Sequence, residues 1–295
     1  MTSLKVAPLA ERGVVRVSGT DAAKLLQGLI TADLGLLDRQ PAVFSGLLTP
    51  QGKILFDFFV VKSGEDFLLE TRRDKAADLA KRLTFYKLRA DVAIANPSEE
   101  SSVAALWGEA TPSLGPPALA YQDPRLAELG WRALAPAFFD WSRLGSGSVV
   151  SEQEYHAHRI ALGVPEGGRD YGLGDAFPHE ALYDQLGGVS FKKGCYVGQE
   201  VVSRMEHRST TRKRVVPVVG AEALRSGAEV KAGEAVIGAV GSVAGSRGLA
   251  LLRLDRVGEA ISKGQPITAA GVPVSVEVPV WARFGIPARD DTAKV

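Results

Sequence analysis

Phe191-Lys192-Lys193-Gly194-Cys195-Tyr196-Val197-Gly198-Gln199-Glu200 gathers two lysines, two glycines, a Gln-Glu pair and the single thiol of a 295-residue chain. Core packing does not call for this composition. The glycines let the backbone turn tightly, or come close to a ligand, on both sides of the thiol. From Gly198 onward, Gln199-Glu200-Val201-Val202-Ser203-Arg204-Met205 reads as the start of a helix with Val201, Val202 and Met205 on one apolar face. Cys195 is thereby placed just ahead of a helix N-terminus, where the macrodipole and the ammonium groups of Lys192 and Lys193 favour thiolate over thiol. The competing reading is inert packing, because free cysteine is among the residues most often buried.

Working outward, Val14 to Val17 alternate as a strand, and Thr20 or Asp21 is placed to cap a helix through Leu25, Leu26 and Leu29. Strands follow at Val43 to Leu48, Ile54 to Val61 and Phe67 to Glu70, with a turn at Ser63-Gly64-Glu65-Asp66. A helix from about Asp74 to Leu83 and a strand at Asp91 to Ala95 complete an α+β unit of ferredoxin-like type. A second α+β half runs from Val103 to about Arg208 and contains a helix at Glu152 to Leu162, ended by Gly163 and Pro165. Past Arg214 the texture changes to short valine-rich strands separated by glycine: Val215 to Val219, Glu229 to Val230, Val236 to Val243, Leu249 to Leu254 and Val274 to Val278. No helix is expected there, and the pattern indicates a small antiparallel barrel or sandwich.

Hydrophobic residues at 45%, charged residues at 23% and a net charge of +1 describe a globular protein with no global pull toward nucleic acid or membrane. The longest apolar runs are too short to span a bilayer. The first eight residues lack a signal-peptide core and are poor in arginine, and one cysteine suits a reducing compartment, so a cytoplasmic protein is expected. No zinc-ligand spacing is visible, and His156 and His158 point to different sides of their helix, so no metal site is expected. A Cys-His hydrolase would need one of His156, His158, His179 or His207 against Cys195 and carries no nucleophile signature.

Lys193-Gly194-Cys195-Tyr196-Val197-Gly198-Gln199-Glu200, followed by Arg204 and Arg208, closely resembles the signature of the YgfZ family. These are folate-binding proteins that support iron-sulfur cluster assembly or repair and are relatives of the glycine-cleavage T-protein, an aminomethyltransferase. The resemblance extends through Gly19 to Leu29 with Thr31 and Asp33, through Leu48-Thr49-Pro50-Gln51-Gly52-Lys53 and through Tyr86-Lys87-Leu88-Arg89. It continues in Arg159 to Pro165 and in Pro178-His179-Glu180. It implies an α+β body over residues 1–210, made of two related ferredoxin-like lobes of the T-protein type at about 1–97 and 98–210. A C-terminal antiparallel β-barrel at 211–287 completes it, around a folate-sized opening.

The resemblance places Glu180 where the superfamily uses a glutamate to accept the side-by-side N–H groups of a pterin. Asp57 interrupts the apolar run Ile54-Leu55-Phe56-Asp57-Phe58-Phe59-Val60, and a carboxylate on an apolar face needs a partner unless its strand faces solvent. The T-protein carries adjacent aspartates here and uses the region in aminomethyl transfer; Phe56 replaces the first of the pair. Lys192, Lys193, Arg204, Arg208, Arg212, Lys213 and Arg214 form a basic run that can hold the folate glutamate tail or, for most of the seven, simply solvate. The implied function is a tetrahydrofolate-binding protein, or one that binds a folate derivative, with iron-sulfur client or assembly proteins as partners. One rival is a folate-dependent aminomethyl or methyl transferase, and another a partner-binding scaffold with a vestigial folate site. Cys195 is the candidate reactive thiol, and it cannot hold a cluster alone because such clusters take about four ligands.

Overall fold

The computed structural model describes residues 4–144, 147–208 and 211–287. They divide into two compact units, one of Met1–Tyr155 with Leu186–Gln199 and the other of His156–Gln185 with Glu200–Val295. The chain begins with β1 (Leu4–Pro8) and continues through β2 (Arg12–Ser18), α1 (Ala22–Leu29), β3 (Ala42–Leu48), β4 (Ile54–Ser63), β5 (Asp66–Arg72), α2 (Arg73–Lys87) and β6 (Ala93–Ala95). β3-β4-β5-β2-β6 form an antiparallel sheet. Its β6-β2-β5-β4 part has the order of a split βαβ unit, with β3 added at the edge.

Alternation fixes the faces of this sheet. Val15 and Val17 of β2, Phe56, Phe58 and Val60 of β4, and Phe67 and Leu69 of β5 pack against Leu26 and Leu29 of α1 and Ala76, Leu79 and Leu83 of α2. Asp21 stands at the N-cap of α1 as expected, but its carboxylate accepts from the Asp91 N–H at 2.9 Å and bonds no N–H of the helix. The cap residue therefore ties α1 to the segment before β6.

β7 (Ser101–Gly108), β8 (Leu119–Gln122), β9 (Trp131–Pro136) and β10 (Gly147–Val149) follow. They assemble with the N-terminal β1 in the order β10-β1-β7-β9-β8, with β1 and β10 parallel and the other pairs antiparallel. The sequence reading assigned no strand to residues 4–8, and β1 crosses into the sheet of the second half. The second face of each sheet carries charge. Glu70, fully buried on β5, accepts from Arg12 Nε at 2.9 Å, from Arg132 Nε at 2.8 Å and from the Tyr121 hydroxyl. The Phe59 ring, directly across from Glu70 in register, is faced by the guanidinium groups of Arg132 at 4.6 Å and Arg125 at 4.8 Å. Arg125 is in turn paired with buried Asp123 at 2.8 Å.

After α3 (Glu152–Ala161) and α4 (Gln199–Arg208) come β11 (Lys213–Gly220), β12 (Glu229–Ala232), β13 (Ala235–Ala244), β14 (Arg247–Arg253), α5 (Leu254–Ser262), β15 (Ile267–Ala269) and β16 (Val272–Val276). The six strands close as β11-β14-β13-β12-β15-β16, the barrel expected from the glycine-punctuated valine strands. The helix α5 corrects the expectation that this region holds none. It is nine residues long with Gly258 inside it, a weak helical signal, and forms because Leu254, Val257 and Ala260 pack into the barrel core. β15, only three residues long, was also missed.

Burial alone would raise the Glu70 carboxyl, but Arg132 and Arg12 outweigh it and bring the group from 4.5 down to about 2. A depressed carboxylate contributes stability that is present above pH 4.5 and is lost as pH falls through about 2. Glu70→Gln, which leaves buried guanidiniums without their counter-charge, should cost about 3–5 kcal/mol in denaturant unfolding. Its acid limb between those pH values should be flatter than that of the wild type; parallel acid limbs would show that Glu70 is not the group responsible.

Candidate functional site

The motif around Cys195 forms a strap, residues 188–198, stapled to the first unit at both ends. Upstream, Ser190 N–H donates to Thr31 O at 2.9 Å and the Thr31 hydroxyl donates to Gly188 O at 2.6 Å. Downstream, Tyr196 is buried, and Gly198 adopts a left-handed φ of +81° where a Cβ would meet Thr49 O at 2.6 Å and Gly52 Cα at 3.1 Å. Three stretches that are far apart in the chain, 27–33, 48–53 and 188–198, thus converge. Between the staples Phe191, Lys192, Gly194 and Cys195 are exposed and Lys193 is buried.

Lys193 Nζ donates to three main-chain carbonyls, Gln27 O at 2.7 Å, Ile30 O at 2.7 Å and Ala32 O at 2.9 Å, and lies 5.3 Å from the Tyr196 ring centroid. Burial draws its ammonium down to about 8, against the pull of Asp33. All three ammonium hydrogens are taken by main-chain carbonyls, so Lys193 works as an anchor of the strap. Lys192 stays exposed, and α4 begins at Gln199, four residues past Cys195.

The basic run divides in the same way. Arg214 is buried, donating to His179 O at 2.9 Å and pairing with Asp184 at 2.8 Å, so it is structural like Lys193. Arg212 and Lys213 are exposed, and exposed Arg204 pairs with Glu200 one turn earlier on α4 at 2.8 Å. The Arg208 side chain lies outside the described residues.

Glu180 belongs to the second unit, in the turn-rich segment before Gly187. Its Oε2 accepts the Phe177 N–H at 2.9 Å and its main-chain oxygen accepts from Val215 N–H at 2.9 Å. The residue lines a cleft of about 320 Å³ together with Phe177, Met205, Thr211, Arg212, Lys213 and Arg253. Asp57 belongs to the first unit and is 5% exposed, which removes the solvent-facing reading of its strand. Phe56 and Phe58 turn into the helix-side core, so Asp57 lies on the opposite face, the face of Phe59 and Glu70.

Residues missed from sequence are Ser45 and the Glu70 cluster. Ser45, fully buried, accepts the Ala32 N–H at 3.0 Å and holds the segment that Lys193 caps. The available signal was a charge inside an apolar run, Phe67-Leu68-Leu69-Glu70, the same signal that singled out Asp57. Among the described residues no group of three His, Cys, Asp or Glu side chains could hold a metal ion, and no helix is long and apolar enough to cross a membrane.

Gly194 and Gly198 separate two roles of glycine. Nothing lies within 4 Å of a Cβ placed on Gly194, and its backbone is outside the left-handed region. Gly194→Ala should therefore change stability by less than about 0.5 kcal/mol. Gly198→Ala, strained and clashing with main chain, should cost about 1–3 kcal/mol. Equal melting temperatures for the two variants would contradict this account of the strap.

The barrel, at residues 212–284, matches the family model described as "CAF17, C-terminal beta-barrel domain". A glycine cleavage system aminomethyltransferase T from Bartonella henselae superposes with a TM-score of 0.77 over 95% of this chain and 86% of that one. At 16% identity that likeness establishes the T-protein fold, an α+β body with a C-terminal barrel. Curated relatives are named mitochondrial iron-sulfur cluster assembly factors. The Mycosarcoma maydis homologue is 36% identical over 230 residues, 72% of this chain and 57% of that protein. The chain thus spans little more than half the length of this relative. The Homo sapiens factor IBA57 is 33% identical over 306 residues, covering 92% of this chain and 83% of that one, and the Mus musculus protein is 34% identical over 280 residues, 83% and 76%. The mitochondrial designation of these relatives overturns the cytoplasmic expectation. A lone unpaired thiol suits any reducing compartment and does not distinguish among them. On the identity and coverage of the human and mouse proteins, the chain belongs to the IBA57 family of iron-sulfur cluster assembly factors.

Proposed function

We propose that this chain is a tetrahydrofolate-binding protein, akin to the YgfZ proteins, that supports assembly or repair of iron-sulfur clusters in client enzymes. The observation that carries the reading is the exposed Cys195 on a strap whose neighbours are stapled down. An inert packing thiol would be covered. A single thiol supplies one of the roughly four ligands a cluster takes, so the cluster is cargo shared with a partner's ligands. Exposed Gly194 beside the thiol is the partner-facing part of this reading, with Lys193, Tyr196 and Gly198 beneath it, and half-buried Gln199 with exposed Glu200 and Arg204 completes the motif in sequence.

The Glu180 cleft supports the folate part by the chemistry of its lining. Phe177 and Met205 offer apolar walls for a ring, the Glu180 carboxylate is oriented by the Phe177 N–H, and Arg212, Lys213 and Arg253 suit an anionic ligand. About 320 Å³ is at the lower end of small-molecule sites. Tetrahydrofolate, when bound, supplies a carrier for one-carbon units. The side chains of this unit would bind and orient it, with Glu180 as acceptor for the pterin N–H groups. Asp57 remains a folate-binding candidate of the first unit. The transferase rival is disfavoured because Phe56 is a core position under α1 and α2, where no carboxylate is available for proton transfer.

Tetrahydrofolate should raise the melting temperature by mass action. Glu180→Ala should weaken binding by about 1.5–3 kcal/mol, the worth of a hydrogen bond to a charged acceptor. An unchanged ligand-induced shift in the variant removes Glu180 from the pterin site, and no shift in the wild type removes folate from the function. Cys195→Ser should melt with the wild type, while client iron-sulfur enzyme activity in cells depending on this protein falls. Full client activity in that variant would sink the thiol's role.

A further inference from the structure

Lys193 sits where an exposed strap meets the end of a helix. Its three carbonyl partners come from α1 and the segment after it, where a helix leaves its last carbonyls without intrahelical donors and its macrodipole is negative. Ile30, the C-cap residue, is already extended, so its carbonyl and that of Ala32 converge with Gln27 O into a socket. Asp33, whose carboxylate is held by the Gln27 amide at 3.0 Å and the Gly35 N–H at 3.0 Å, adds negative charge nearby. The Tyr196 ring is the strap's own contribution to the enclosure.

The placement along the strap gives the contact its consequence. The staples at Gly188, Ser190, Tyr196 and Gly198 fix the two ends, and in the exposed run 191–195 Lys193 is the buried side chain. Its ammonium ties the middle of this run to main-chain carbonyls of 27–32. The geometry points to Lys193 as a positioning residue for Cys195: its ammonium, seated in three main-chain carbonyls, sets the height and orientation at which the strap presents the thiol two residues on. This rests on the reading of Cys195 as the working thiol.

Such a clamp depends on protonation. A neutral amine has one hydrogen fewer and must turn a lone pair toward a carbonyl, so one arm of the socket becomes repulsive. The groups facing the ammonium are the three carbonyls, Asp33 on the segment after α1 and Tyr196 on the strap. The Tyr196 hydroxyl is pushed up to about 12 by burial and stays neutral throughout. With Lys193 brought to about 8, the clamp should loosen at mildly alkaline pH.

Hydrogen exchange by mass spectrometry on peptides covering 188–198, corrected for intrinsic rates from pH 7 to 9.5, tests this in the wild type, Lys193→Met and Lys193→Arg. Wild-type protection should fall across about pH 8. Lys193→Met should exchange at least about ten-fold faster at pH 7 with β14 unaffected, and client enzyme activity should drop to that of Cys195→Ser. Lys193→Arg, which cannot lose its proton in this range, should show no fall in protection with pH even if its fork fits the socket less well. A flat wild-type profile overturns the clamp and needs no variant to fold. Full client activity of Lys193→Met overturns the positioning role. The activity of Cys195→Ser separately tests the reading on which the proposal rests.

Discussion

A carboxylate without access to water must be answered by cations, and the first unit is arranged to answer Glu70. Arg12 on β2 and Arg132 on β9 reach it from two different sheets, the Tyr121 hydroxyl donates from β8, and Arg132 also donates to the Tyr155 hydroxyl at 3.0 Å. Such a network adds little net stability over an apolar contact of equal size, because desolvation offsets most of the Coulomb attraction. What it does enforce is registry. A one-residue slip of β5 would turn Glu70 into the apolar helix-side core and leave Arg12 and Arg132 without their carboxylate. Charge thus adds to the apolar alternation of Phe67 and Leu69 in fixing the register of β5.

On that frame the Cys195 strap is a surface device with buried roots. Thr31 and Ser45 use their hydroxyls to close the main chain around residues 31–46, with Gly46 N–H donating to Thr31 Oγ1 at 2.8 Å. The closure shapes the carbonyl socket that Lys193 fills. Along 193–196 buried Lys193 and Tyr196 bracket exposed Gly194 and Cys195, so the thiol is accessible while the flanking side chains carry the packing. That combination of access and fixed geometry is what the proposed role of Cys195 requires.

The second unit shows the same economy of buried charge. Arg159, fully buried at the end of α3, pairs with Asp170 at 2.7 Å, and Asp170 also accepts the main-chain N–H of Ser242 on β13 at 2.7 Å and of Glu166 at 2.9 Å. One carboxylate thereby joins the segment after α3 to the barrel wall. Gly241 is required there, since a Cβ would meet Asp170 Oδ1 at 2.7 Å.

The sequence by itself determined what local pattern controls. Strands β2 to β5 and most barrel strands, helices α1 to α4 and the turn at 63–66 were legible, because period-two and period-3.6 alternation and turn chemistry act over a few residues. The T-protein fold and the kinship with iron-sulfur assembly proteins were legible too, because Lys193 to Glu200 is long and chemically unusual, although the resemblance pointed to the YgfZ family and the relatives place the chain in the IBA57 family. Tertiary structure alone decided the rest. β1 is five residues that take their sheet from a partner about 100 positions away, and α5 forms because the barrel core covers its apolar side. Lys192 and Lys193 are the same residue type side by side, yet one is exposed and the other is an anchor. No property of the lysine sets that difference; it is set by whether three carbonyls from a distant helix end happen to converge on its ammonium.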